Sequence, residues 1–266
     1  MNFRQKWLQA AQRKNSLLCV GIDPAEAAQR HGHQMPEGVS KTEWTRHIID
    51  AVAPYTAGIK LNRNYFKDIT REDMRSLNDR IHEQGMISID DSKLADIGDT
   101  NDAGIYHAKQ EGFDAITYAP FPGNTLQAGS QAQAHGVGLI PLVLMSNPEY
   151  RLMKNALING EPLYRFLAKQ SAEAQADGIV IGAPSPGNHI TLEEIADVAR
   201  ILPEALVLVP GIGAQGGDIA PILGLFGPRT IANVGRAIIY AKDPAQQARS
   251  YRDLITQAHQ GVPTGR

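Results

Sequence analysis

What this sequence has little of narrows the reading first. It holds one cysteine, Cys19, in 266 residues, so no intrachain disulfide can form and a reducing cytoplasm fits. No apolar run approaches the roughly 20 residues that a bilayer-spanning helix needs. No continuous hydrophobic stretch near the start marks a secretory signal. A net charge of −2 gives no basic field, which argues against nucleic acid as a partner. The eight histidines make no H-E-x-x-H spacing, and the pair His31 and His33 has no nearby carboxylates, so no metal is expected. Ser146 has no G-x-S-x-G elbow around it, and Cys19 sits in mid-strand, so neither reads as a nucleophile.

An apolar fraction of 42% supports a sizeable core. Apolar runs of strand length fall at 17–23, 57–62, 86–91, 115–118, 138–144, 178–182, 206–210 and 230–234. Amphipathic segments separate them, among them 41–52, 73–84, 101–111, 162–176, 191–201 and 244–259. Thr191 with Glu194 forms a capping box, and Gly85, Gly112 and Gly136 stand where helices end. Eight such units, with strands that lack strict alternation, predict a (β/α)8 (TIM) barrel spanning 1–266 as a single domain. An open doubly wound sheet is the alternative. The basic, acid-free start "MNFRQKWLQAAQRKNS" also has the look of a transit peptide, but the core strand follows at once. Residues 1–16 are therefore expected as a surface helix closing one end of the barrel. The longer connections, 24–40 and 145–161, follow strands one and five on the C-terminal face, where functional loops belong.

The run "IDDSKLADIGDT" packs charges directly behind the third strand. Strand side chains two apart share a face, so Asp91 and Lys93 project together while Asp90 points away. Asp96 returns through the following turn. Asp23 after strand one, Lys60 on strand two and Ser146 after strand five converge on the same mouth. Taken singly, each has a structural explanation: Asp23 as a turn cap, Lys60 as a snorkelling strand end, Ser146 as a helix cap. Together they are costly to bury unless paired, at several kcal/mol for each ion.

The run "VPGIGAQGGD" contains G-x-G-x-x-G at Gly211, Gly213 and Gly216. A dinucleotide reading fails on context, because the motif follows the seventh strand and no Asp or Glu stands between Ile219 and Lys242. A phosphate loop fits better, since barrels bind phosphate after strands seven and eight. The eighth strand ends in "NVGRAI", which supplies Gly235 for close backbone approach and Arg236 as an anion partner.

With these runs in order, the sequence resembles the orotidine 5′-monophosphate decarboxylase family over essentially its whole length. Asp91, Lys93, Asp96, Ile97 and Thr100 make up D-x-K-x-x-D-I-x-x-T, and "GIDP", "GIKLN", "MSNP", "PGIGAQGGD" and "VGRAI" surround it. The resemblance implies decarboxylation to uridine 5′-monophosphate with neither metal nor cofactor, in a homodimer with shared sites. It implies ribose contacts from Asp23 and Lys60, with Lys60 also closing the charge network. Asp91 would lie against the substrate carboxylate and Lys93 would deliver the proton. Asp96 and Thr100 would come from the neighbouring subunit. Ser146 would bond the pyrimidine amide, while Pro210, Gln215, Gly235 and Arg236 would line or grip the phosphate end. Asn62, in "KLNRNYF", departs from what many members carry and is given no role. Two rivals share parts of this pattern. A metal-dependent keto-sugar-phosphate lyase or aldolase would need an acidic ligand where Lys60 stands. A non-catalytic phosphate sensor would not need Lys93 between two aspartates.

Overall fold

The computed structural model describes residues 1–30, 32–212 and 218–261. Asn2 caps the first helix, α1 (Phe3–Lys14): its side chain accepts from the Gln5 amide, and Gln5 returns to the Asn2 backbone. Next come β1 (Leu18–Ile22), α2 (Lys41–Val52), β2 (Gly58–Leu61) and, past a 3-10 turn at Arg63–Tyr65, α3 (Arg71–Glu83). The alternation continues with β3 (Ile87–Leu94), α4 (Gly98–Gln110), β4 (Ala115–Tyr118), α5 (Thr125–His135) and β5 (Gly138–Leu144). A short helix, α6 (Tyr150–Lys154), and a hairpin of β6 (Leu157–Ile158) and β7 (Glu161–Pro162) precede α7 (Leu163–Glu173). Then follow β8 (Gly178–Ile181), α8 (Leu192–Ile201), β9 (Leu206–Val209) and α9 (Ala220–Phe226). The last described elements are β10 (Thr230–Val234), α10 (Arg236–Ile239) and α11 (Pro244–Gln260).

Eight parallel strands close a barrel in the order β1-β2-β3-β4-β5-β8-β9-β10, with β10 returning to β1. This is the expected (β/α)8 architecture, and closure excludes the open sheet. Strands such as β1, β2, β4 and β9 are buried along their whole length, which explains why their sequences do not alternate. One apolar layer lies between the barrel and its helices and holds Val20, Ile59, Leu77 and Ile195. A second fills the barrel interior with Cys19, Ile89, Ala115, Ile140 and Leu208.

The helix α1 stoppers the interior at its N-terminal end. Phe3, Trp7, Ala10 and Ala11 are buried and join the inner layer. Phe3 packs so closely on Gly138 that a Cβ there would stand 2.5 Å from the Phe3 Cβ. The Trp7 indole N–H donates to the Pro228 carbonyl at 3.2 Å, so a buried polar atom is satisfied.

Two features differ from the sequence reading. The third strand runs to Leu94 rather than ending near Asp91. It does so through a bulge: Asp90 pairs with Ile116 and Leu94 with Tyr118, so four steps along β3 match two along β4. The long connection after β5 also carries a hairpin of its own, with strands too short to show any periodicity.

Candidate active site

The bulge in β3 shapes the barrel's mouth. Strand pairing sets Lys60 of β2 beside Gly21 and Ile89 on the neighbouring strands. Its ammonium is buried and donates to Asp91 Oδ2 at 2.6 Å. The other oxygen, Asp91 Oδ1, accepts from Lys93 Nζ at 2.6 Å. Within one chain the array is therefore ammonium–carboxylate–ammonium. Lys93 adopts a left-handed backbone with φ of 50°. For a residue with a Cβ this costs on the order of 1–3 kcal/mol, so the surroundings must hold it.

The charges set one another. Burial opposes the Asp91 charge, but Lys60 and Lys93 outweigh it and hold this carboxyl well below the usual carboxylate range. Burial likewise works against the charge on Lys60, and Asp91 and Asp23 more than offset it, so its pKa is raised. Beneath them, burial pushes the Cys19 thiol up to about 12, which leaves it an inert core residue at neutral pH.

The other expected residues are placed as follows. Asp23 stands just past β1 with its Oδ1 buried and unpartnered among the described residues, while its carbonyl accepts from the Tyr240 hydroxyl at 2.7 Å. Tyr240 in turn accepts from the Ala25 N–H at 2.8 Å, so the end of α10 is tied to the loop after β1. Ser146 lies past β5, where Gly182 leaves room: a Cβ on Gly182 would stand 2.6 Å from that of Ser146. Ser146 lines a polar cavity of about 660 Å³ between the loops after β5 and β8. Those loops are clamped together by buried Lys154, which donates to the His189 carbonyl and pairs with Glu194 at 2.6 Å. The Pro210 carbonyl accepts from the Ala183 N–H at 3.1 Å. Gly235 packs against β1, with the Gly21 carbonyl 3.1 Å from where a Cβ would be. Arg236 begins α10 and is exposed. Gln215, with Gly213 and Gly216, lies outside the described residues.

Asp96 and Thr100 stand apart from the array. Asp96 Oδ1 accepts from the Ile97 N–H at 2.8 Å, and its carbonyl accepts from Asn124 Nδ2 at 3.1 Å. Thr100 is exposed in the first turn of α4. Among the described residues no ion pair joins Asp96 to Lys93 in the single chain.

Sequence reasoning passed over the supports of the array. Thr117 on β4 accepts from the Lys93 N–H at 2.9 Å and donates to Asp91 Oδ1 at 3.2 Å. The signal was available, because Thr117 is the polar member of the inward-facing pair in "AITY". Asp90 turns outward, as expected, and meets Arg63 at 3.2 Å, and Arg63 also pairs with Glu111. Burial pushes the Asp90 carboxyl up to about 6 against the pull of Arg63. Nothing in the local pattern around Arg63 marks this long-range contact.

Comparison with known proteins shows what the chain is similar to. The family described as orotidine 5′-phosphate decarboxylase / HUMPS matches residues 16–251. The orotidine 5′-phosphate decarboxylase of Ralstonia pickettii is 33% identical over 285 residues, covering 97% of this chain and 99% of the relative. That of Cupriavidus metallidurans is 32% identical over 283 residues, covering 98% of each. The solved OMP decarboxylase of Leishmania donovani has a TM-score of 0.77 at 24% identity, over 98% of this chain and all of that one, a likeness of fold.

Proposed function

This chain belongs to the orotidine 5′-phosphate decarboxylase / HUMPS family and is a decarboxylating lyase of UMP biosynthesis, and from that premise we propose how it works. The reaction needs no metal or cofactor. The bond from C6 of orotidine 5′-monophosphate to its carboxylate breaks, carbon dioxide leaves, and the electron pair stays on C6. Lys93 gives that carbon its proton, yielding uridine 5′-monophosphate. The observation that carries this reading is the array Lys60–Asp91–Lys93, with one buried carboxylate held between two ammoniums at the barrel mouth.

The physics supports those roles. No ring position delocalises a carbanion at C6 well, so a fixed ammonium stabilises the charge where it develops. Asp91, ionised at neutral pH, opposes a substrate carboxylate set against it. Two unit charges about 4 Å apart repel by roughly 4 kcal/mol at an effective dielectric near 20. Asp23 and Lys60 hold the ribose, and Ser146 the pyrimidine amide. Gln215, Gly235 and Arg236 grip the phosphate, with Pro210 lining that end, and the phosphate's binding energy is spent on orientation at a distance from the reacting bond.

We further propose a homodimer in which Asp96 and Thr100 enter the partner's site. Supporting this, Asp96 Oδ1 bonds the Ile97 N–H in its own chain, and Ile97 and Phe121, in the connections after β3 and β4, are exposed. A reducing cytoplasm is the proposed location, resting on the single buried Cys19. Among the described residues no helix is long and apolar enough to cross a membrane.

The test is loss of orotidine 5′-monophosphate absorbance with purified, chelator-treated protein. Turnover is expected without added metal. Activity that disappears with chelator and returns with magnesium would move the chain to the keto-sugar-phosphate branch.

A further inference from the structure

The bulge in β3 creates a problem that β4 solves with a side chain. Four steps of one strand against two of the other break the ladder between Asp90 and Leu94, so the Lys93 N–H has no regular strand acceptor. The Thr117 hydroxyl takes that N–H at 2.9 Å. A hydroxyl has one proton to give. Two acceptors stand in reach, the Asp90 carbonyl at 3.4 Å and, closer at 3.2 Å, Asp91 Oδ1, the oxygen that also receives Lys93 Nζ. The side chain is 2% exposed, so these contacts are sheltered from competing water.

We propose that Thr117 is a positioning residue for the reaction, its hydroxyl holding Lys93 in the left-handed backbone that keeps the ammonium on Asp91. This rests on the function proposed above and adds a residue to it. The Lys93 side chain is 40% exposed and therefore weakly confined by packing. Backbone direction then decides where its ammonium sits. One threonine controls both ends of the lysine: the amide directly, and the ammonium through the carboxylate they share.

Two substitutions separate hydroxyl from shape. Thr117→Val keeps the shape and removes the hydroxyl, while Thr117→Ser keeps the hydroxyl and removes a methyl. The Val variant should lose about 10- to 100-fold in kcat with KM changed by less than about threefold, as expected when an oriented, charge-assisted contact is lost. The Ser variant should stay within about threefold of the parent. Amide hydrogen exchange at Lys93, read by NMR in the absence of ligand, should accelerate at least about tenfold in Val and remain near the parental rate in Ser. A Val variant with kcat within twofold of the parent, a Ser variant as impaired as Val, or an unchanged Lys93 exchange rate in Val would each overturn the proposal. If the parent itself fails to turn over orotidine 5′-monophosphate, the proposed function falls, and the exchange measurement still decides whether Thr117 holds Lys93.

Discussion

A carboxylate placed between two ammoniums has both of its oxygens paired within the chain. In the proposed reaction its effect comes when a substrate carboxylate is set against it, and Lys93 is the ammonium that gives the reacting carbon its proton. Lys93→Ala should therefore lose turnover by at least about 10³-fold, while ligand binding persists through the phosphate and ribose contacts. Steady-state kinetics beside calorimetric binding of uridine 5′-monophosphate checks this, and a variant that keeps a tenth of parental turnover removes Lys93 from the role. Asp90, next in the chain to Asp91, makes a different prediction. Its carboxyl is pushed up to about 6, against an ordinary value near 4 for the unfolded chain. Between those pH values the folded chain keeps a proton that the unfolded chain has released, so stability falls as pH rises through the window. Asp90→Asn has no such proton to lose. Urea melts of variant and parent should shift in the variant's favour by about 2–3 kcal/mol between pH 4 and pH 7. A difference that does not change with pH would show that the Asp90 carboxyl titrates in the fold as it does in the unfolded chain.

Elements divide by the end of the barrel they serve. The C-terminal ends of the strands carry the charges, whereas α1 plugs the opposite end with Trp7 fully buried. Trp7→Ala should cost about 3–5 kcal/mol of stability and leave kcat per folded molecule unchanged. A fall in kcat without a fall in melting temperature would mean that the plug communicates with the mouth. The same division explains what could be read in advance. Helix α2 covers the expected 41–52, and the Thr191–Glu194 box is present, because caps and periodicity are local properties. Gly85, Gly112 and Gly136 all take positive φ at helix ends for the same reason. The strand alternation that placed Asp91 and Lys93 on one side found the right partners by an incomplete route. A bulge with a left-handed lysine brings them together, and nothing near Lys93 in sequence announces a conformation that glycine normally takes. The bulge depends on pairing with β4, and Thr117 and Arg63 gain their meaning only from contacts 24 and 27 residues away.

At the scale of the molecule, one chain carries an array that lacks the second aspartate of its own motif. Asp96 lies three residues past Lys93 yet bonds the backbone of its own turn, and apolar Ile97 and Phe121, in the connections after β3 and β4, are 63% and 90% exposed. Exposed apolar side chains in neighbouring connections at the barrel mouth are what a protein–protein contact would cover. If a two-fold dimer exchanges Asp96, the exchange is reciprocal, so each site combines Lys93 of one subunit with Asp96 of the other. In a mixed dimer of Lys93→Ala with Asp96→Ala, one site then carries both lesions and the other carries neither. Random re-pairing of equal amounts makes about half the dimers mixed, each with one intact site of two, so about a quarter of parental activity should return. Each variant alone should stay inactive. The measurement is activity after mixing, with subunit exchange shown independently by native mass spectrometry of differently tagged chains. A mixture that exchanges fully and remains as inactive as its components would put Asp96 in the site of its own chain. The loop from Leu94 to Gly98 would then have to move on ligand binding to deliver it.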